Sequence, residues 1–348
     1  MAPLRPAATL APMPTPDTGP AAAPLAELLD PYYAYAARQT FADRGPRTLY
    51  DPVRYALEVG GKAVRPSLLL LAHALGGGAP DEALPAAFAV ELFHNFTLVH
   101  DDIMDAAELR RGRPTVYRAF GESVAILAGD AMLIHTYGLL LDNYPAPVAY
   151  ALLGELQEMA VALCEGQQRD MDMEAGAEAG YADYLEMIHG KTGVLITAAL
   201  AMGAHLARLP PEAIEKIRRA GDLAGRAFQI QDDLLDTFRT SEVTGKGDYG
   251  DIVRGKQSAP YMKARELADE SQTALLREVY ALHDADQRRA RVPEVLAVYE
   301  ALGVEQHLAS EVALLSLEAS GLLREAGGEP AARERLIAFT EALARRGH

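Results

Sequence analysis

Two short acidic runs, Asp101-Asp102-Ile103-Met104-Asp105 and Asp232-Asp233-Leu234-Leu235-Asp236, carry carboxylates at i, i+1 and i+4. On an α-helix the i and i+4 positions share a face, so Asp101 meets Asp105 and Asp232 meets Asp236. Like charges one turn apart repel, and keeping them in an apolar stretch is costly without a compensating cation. An all-oxygen donor set with no cysteine or imidazole cluster suits a hard divalent ion, Mg²⁺ before others. Two such helices facing each other would cage several ions, and a polyphosphate is the natural guest. A single run of this kind arises easily in an acidic chain and usually marks a solvated face. Here both follow apolar stretches, Phe93–Val99 and Ala227–Gln231, where solvated charge clusters do not sit.

Three basic, glycine-bearing segments accompany them. Gly60-Gly61-Lys62-Ala63-Val64-Arg65-Pro66 joins two predicted helices, and Arg110-Arg111-Gly112-Arg113-Pro114 begins five residues past the first acidic run. Gly245-Lys246, Asp251 and Gly255-Lys256 follow the second run. Glycine lets backbone approach a ligand closely, while Lys and Arg donate to phosphate oxygens. Each segment alone also reads as a helix-joining loop or a set of neutralising ion pairs. Acidic clusters flanked by such loops are more specific together than apart.

The elements that must position these groups are helices. Ala and Leu dominate, and β-branched runs bounded by turn signals are missing. The pattern predicts helices over 26–42, 50–59, 64–75, 82–105, 115–119, 122–142, 147–175, 181–207, 211–239, 260–267, 270–284, 290–302, 304–325 and 329–345. A chain of 348 residues can bury a sizeable core, and no linker follows the opening segment, so one large all-α domain is expected over 25–348. The first 24 residues hold seven Pro and seven Ala and read as a disordered tail, without a signal or transit pattern. With 49 acidic against 33 basic residues, net −16, nucleic acid and anionic membrane surface are disfavoured as partners. A bound cation inverts that logic and turns acidic clusters into phosphate sites. Cys164 is the only cysteine, which excludes an internal disulfide; it reads as a core residue. The longest apolar runs, Ser67–Leu75 and Val194–Gly203, are too short to span a bilayer, so a cytoplasmic location is expected.

Taken in order, GGKxxRP at 60–66, DDIMD at 101–105, RRGxPT at 110–115, KTG at 191–193, DDLLD at 232–236 and the GK…DI…GK stretch of 245–256 resemble the trans-isoprenyl diphosphate synthases. The resemblance runs from about residue 50 to 265. It implies an all-α bundle of the isoprenoid synthase type around a central cavity, acting as a homodimer. By the same resemblance Asp101, Asp102, Asp105, Asp232, Asp233 and Asp236 would hold Mg²⁺ ions bridging an allylic diphosphate. Arg110, Lys191 and Lys246 would contact that diphosphate, with Lys256 near the same end. Lys62, Arg65, His94 and Arg111 would hold isopentenyl diphosphate, while Thr192 and Gln229 would flank the reacting carbon. Ala63 departs from a basic residue common in the family, and Gly255-Lys256-Gln257-Ser258 departs from its GKxT; neither removes an assigned binding residue.

The implied reaction is head-to-tail condensation, with pyrophosphate leaving an allylic substrate and the released pyrophosphate as base. The fifth residue before the first acidic run would point into the product tunnel. Here it is Phe96, with Phe93 one turn earlier. An aromatic there, next to the small Thr97, resembles geranylgeranyl diphosphate synthases of the archaeal type and favours a C20 product over C15. A farnesyl diphosphate synthase and a class I terpene cyclase are the alternatives. A cyclase would show an Asn/Asp, Ser/Thr and Glu pattern in place of DDLLD and would lack the second diphosphate set.

Overall fold

The Ala- and Leu-rich stretches form helices that bury their apolar faces, and the computed structural model describes residues 25–39, 41–176, 178–238 and 249–345. The opening 24 residues and Gly245-Lys246 lie outside the described residues. Contacts divide the chain into two compact units: the chain to Leu70 with Pro80–Pro145, and Leu71–Ala79 with everything from Ala146 onward.

The first unit is built on α1 (Ala26–Ala36), α2 (Arg47–Glu58), the start of α3 (Val64–Ala74), α4 (Leu84–Met104), α5 (Val116–Phe120) and α6 (Glu122–Asn143). α4 lies along α6, and α1, α2 and α5 pack around the pair. The α4 face made by Ala86, Ala89, Val90 and Phe93 is wholly or almost wholly buried. Between α4 and α5 two short strands, Leu109–Arg110 and Arg113–Pro114, pair antiparallel. Their two-residue tip, Arg111-Gly112, has positive φ at both positions (52° and 74°), the combination that a type I′ hairpin turn requires. No hairpin is predicted from sequence, because Arg is an unusual residue for that left-handed position.

The second unit carries α7 (Ala146–Glu174), α8 (Tyr181–Ile188), α9 (Val194–Leu206), α10 (Pro211–Phe238), α11 (Gly250–Arg254), α12 (Ala259–Leu267), α13 (Glu270–Tyr280), α14 (Ala285–Ala301), α15 (Val304–Ala326) and α16 (Pro330–Ala344). α10 is the axis of this unit and packs against α9, α15 and α16. The predicted helix over 181–207 is interrupted by a π-turn, His189–Gly193. Its cause is close backbone packing: a Cβ on Gly190 would sit 2.7 Å from Gly166 Cα, and one on Gly225 would sit 2.6 Å from Gly193 Cα. The short α11 was hidden in sequence by its glycines. Tyr249 before it and Gly255 after it both adopt left-handed backbone.

Two expectations are corrected here. Cys164 is exposed rather than core. The 22-residue α6 is long and apolar enough to cross a bilayer by length and composition, although no such span is expected from the apolar runs. Only 33% of its apolar window is buried, whereas the similarly apolar stretch Tyr181–Leu206 is 78% buried and serves as core. Exposed Leu127, Ile134 and Leu141 recur every seventh residue along α6 and form a stripe.

Candidate active site

In the first unit, α4 delivers the acidic run at its C-terminal end. Asp105 caps the helix, its backbone N–H donating to Asp101 O at 2.8 Å, so the two carboxylates sit one turn apart as expected. Asp102 points to the buried side, 3% exposed, and the Arg110 guanidinium grips it from the hairpin. Arg110 Nε lies 2.9 and 3.0 Å from its two oxygens, and Nη2 lies 2.8 Å from Oδ1. The hairpin thereby fixes both Arg110 beside the acidic run and Arg111 at its own tip.

Two turns back along α4 the chemistry changes sign. Arg65 Nη1 lies 3.1 Å from His94 Nε2. A guanidinium only donates, so His94 Nε2 accepts and the imidazole proton resides on Nδ1. Burial, reinforced by Arg65, Arg111 and Arg110, holds the His94 pKa well below its ordinary value and keeps the ring neutral. His94 Nδ1 and Arg65 Nε are both buried with no partner among the described residues. Two orphaned donors in one place are expensive unless an acceptor arrives, and a phosphate oxygen meets that need. Glu91, missed by sequence reading, borders the same spot. Burial pushes its carboxyl up, while Arg65 and Arg111 pull it back. Its Oε1 and the Arg111 guanidinium each lie 3.2 Å from where a Gly61 Cβ would stand, so a larger residue there would crowd both side chains. Ala63, with φ 46°, bends the loop back into α3, and Lys62 is exposed beside it.

The neutral His94 has a stability consequence. Its folded pKa lies below that of the unfolded chain, so its contribution is complete above about pH 6.5 and is lost as pH falls toward the folded value. The difference in unfolding free energy between wild type and His94→Gln should therefore shrink below about pH 6.5. Denaturant melts at pH 7.5 and 5.5 measure it, and an unchanged difference would contradict the buried neutral ring.

In the second unit, α10 carries the other acidic run and α7, the π-turn and α11 supply its partners. Lys191 on the π-turn pairs with buried Asp170 of α7, Nζ to Oδ2 2.5 Å. Thr192 donates to Gln229 Oε1 at 2.9 Å, and Gln229 Nε2 donates to Asp233 Oδ1 at 2.9 Å. Asp233 is 2% exposed and also accepts from Tyr184 Oη at 2.7 Å and from the Ala259 backbone N–H at 2.9 Å. Burial pushes its carboxyl up, opposed by the Lys256 ammonium, whose Nζ is 3.9 Å away. Burial disfavours the charge on Lys256, yet the carboxylates of Asp233, Asp251 and Asp170 outweigh it and raise the ammonium's pKa. Arg254 bonds Asp251 at 2.7 Å and reaches Asp236 at 3.6 Å. Asp232 remains partly exposed on α10.

The structure thus brings together Lys191 with Thr192, Gln229, Asp233 and Lys256, and separately Arg65, His94, Arg110, Arg111 and Asp102. Lys246 lies outside the described residues. Among the described residues no three of His, Cys, Asp and Glu gather into a metal-holding group. Mg²⁺ takes one or two carboxylates plus waters and phosphate oxygens rather than a protein cage, so an all-oxygen pair is the donor set to test for it. Asp101 with Asp105, and Asp232 with Asp236, are all-oxygen pairs that fit it.

These features define an all-α protein of the isoprenoid synthase fold. A solved geranylgeranyl pyrophosphate synthase structure is similar over 93% of this chain and 99% of its own, with TM-score 0.86 and 36% identity. The chain belongs to the Polyprenyl synthetase family, whose profile matches residues 46–299. It is 35% identical to the short chain isoprenyl diphosphate synthase of Methanothermobacter thermautotrophicus over 311 residues, covering 89% of this chain and 94% of that protein. It is also 41% identical to the geranylgeranyl diphosphate synthase of Methanosarcina mazei over 223 residues, 64% of this chain and 68% of that one.

Proposed function

We propose that this protein condenses isopentenyl diphosphate with an allylic diphosphate to give geranylgeranyl diphosphate, using Mg²⁺. The activity class, a trans-prenyltransferase making short-chain prenyl diphosphates, is supported by relatives named for that chemistry. The observation that carries the reading is the change of chemistry along α4. The helix ends in Asp101, Asp102 and Asp105, and about 10 Å back it presents His94 with Arg65 to a second anion. A terpene cyclase handles one diphosphate and has no use for that second pocket.

Asp101, Asp105, Asp232 and Asp236 would hold the ions, with Asp102 bound to Arg110. Bound Mg²⁺ supplies charge stabilisation to the departing pyrophosphate. Arg110 and Lys191 orient that leaving group, while Arg65, His94, Arg111 and Lys62 hold isopentenyl diphosphate so that its double bond meets the allylic carbon. Thr192 and Gln229 turn dipoles toward the positive charge that develops there. The proton lost after attack passes to the released pyrophosphate.

Product length is assigned to Phe96. Its ring meets Phe93 edge-on at 5.1 Å and His100 at 4.9 Å, so it is braced on two sides. His100 is held in turn against Gly129 of α6, where even a Cβ would fall 2.2 Å from Nε2. The test incubates the protein with labelled isopentenyl diphosphate, Mg²⁺ and C5, C10 or C15 primers, with a chelator control. A metal-dependent C20 product is expected, and Phe96→Ala should lengthen it to C25 or beyond. No condensation from any primer would overturn the reading, and arrest at C15 would replace the C20 assignment with farnesyl diphosphate. A second copy of the chain is the proposed cover for the exposed α6 stripe, to be checked by the protein's mass in solution.

A further inference from the structure

We propose that Asp233 is a positioning residue, with Tyr184 as its buried donor, that fixes the direction of the Thr192 hydroxyl and does not bind metal. This rests on the prenyl-transfer reading above. A carboxylate offers about four acceptor positions. Asp233 Oδ2 accepts from Tyr184 and from the Ala259 N–H, and Oδ1 accepts from Gln229 and faces Lys256. With 2% of its surface exposed, it presents no oxygen outward. A Mg²⁺ ion needs its oxygen at about 2.0–2.1 Å in near-octahedral order, so coordination would require stripping this network. Asp232, the preceding residue, is partly exposed and points elsewhere around the helix.

The network also transmits polarity. Asp233 can only accept, so Gln229 must turn its NH₂ toward it. The Gln229 carbonyl then faces Thr192 and accepts the hydroxyl hydrogen at 2.9 Å. With its hydrogen committed, the Thr192 oxygen keeps its lone pairs for the developing allylic cation. Without the carboxylate the amide is free to flip, and Thr192 would present a hydrogen where an electron pair is needed. Tyr184 holds the carboxylate from α8, which packs against α10. Burial and the adjacent Asp233 raise the Tyr184 pKa well above its ordinary value, so it remains a donor at working pH.

The test compares wild type with Tyr184→Phe, Asp233→Asn, Asp232→Asn and Gln229→Ala. The melting temperature is titrated with Mg²⁺ at fixed inorganic pyrophosphate, a readout that needs no turnover. Asp233→Asn and Tyr184→Phe should keep the wild-type Mg²⁺ midpoint, while Asp232→Asn shifts it by about tenfold or more. In turnover, kcat should fall by about 10–100-fold in Asp233→Asn and Tyr184→Phe, with KM for either diphosphate little changed. In the Gln229→Ala background, Asp233→Asn should cost little more, because both act through one amide. A Mg²⁺ midpoint for Asp233→Asn displaced as far as that for Asp232→Asn would overturn the proposal. So would an equal kcat cost with and without Gln229. Failure of wild type to condense any primer would instead strike the prenyl-transfer reading, and the melting titration would still decide whether Asp233 binds metal.

Discussion

Asp101→Asn should lower kcat/KM for condensation by about 10³-fold while leaving the fold intact. The estimate takes about 4 kcal/mol of transition-state charge stabilisation for a metal-supported leaving group, at 1.36 kcal/mol per factor of ten. Asparagine keeps the shape of the side chain and removes the charge that attracts the cation. Asp101 lies near the end of α4, where the preceding helix is anchored by buried Phe93, Val90 and Ala89, so the substitution spares the core. The companion Asp232→Asn should behave alike, since it too is partly exposed on a helix rooted in the interior. Steady-state kinetics over a range of Mg²⁺ concentrations, with circular dichroism as a fold control, make the measurement. Retention of activity within tenfold of wild type in both variants would remove these carboxylates from the proposed metal set.

The second large effect is on stability. A Cβ added at Gly166 of α7 would fall 2.3 Å from Lys191 N and 2.4 Å from Gly190 C. Both are backbone atoms, which cannot swing aside as a side chain can. Gly166→Ala therefore forces α7 and the π-turn apart, at a cost of about 3 kcal/mol or more, the upper range for overpacking. The Lys191–Asp170 pair at 2.5 Å spans the same junction, so activity should fall with stability. Gly154, on the same helix, meets nothing within 4 Å, and Gly154→Ala should be neutral or stabilising by up to about 1 kcal/mol. Thermal and denaturant melts of the two variants side by side separate a packing clash from a general effect of alanine in α7. Equal stability of the two would refute the junction.

α4 and α10 were readable because long apolar periodicity and acidic spacing agree on one chain segment. His94 and Arg65 were legible through a family pattern, and their tautomer and orphaned donors emerged only when the two side chains met. Glu91 lies three residues before His94 on the same helix face, a signal that was available yet indistinguishable from a surface acid. Tyr184 carries no motif at all, since its role depends on Asp233, 49 residues away. The π-turn follows from two glycine pairs far apart in sequence, which no local propensity encodes. The hairpin required Arg111 to accept a left-handed backbone that its residue type disfavours.

Glu91 gives the Arg65–His94 pocket a character of its own. Glu91 interacts electrostatically with both Arg65 and Arg111, so under the proposed function an arriving diphosphate would meet guanidiniums that already have a carboxyl group nearby. In that reading the pocket would work as an ion exchanger, trading a weak tethered acid for a strong mobile anion and reverting when product departs. Its occupancy would then be set by the ratio of two affinities rather than by one.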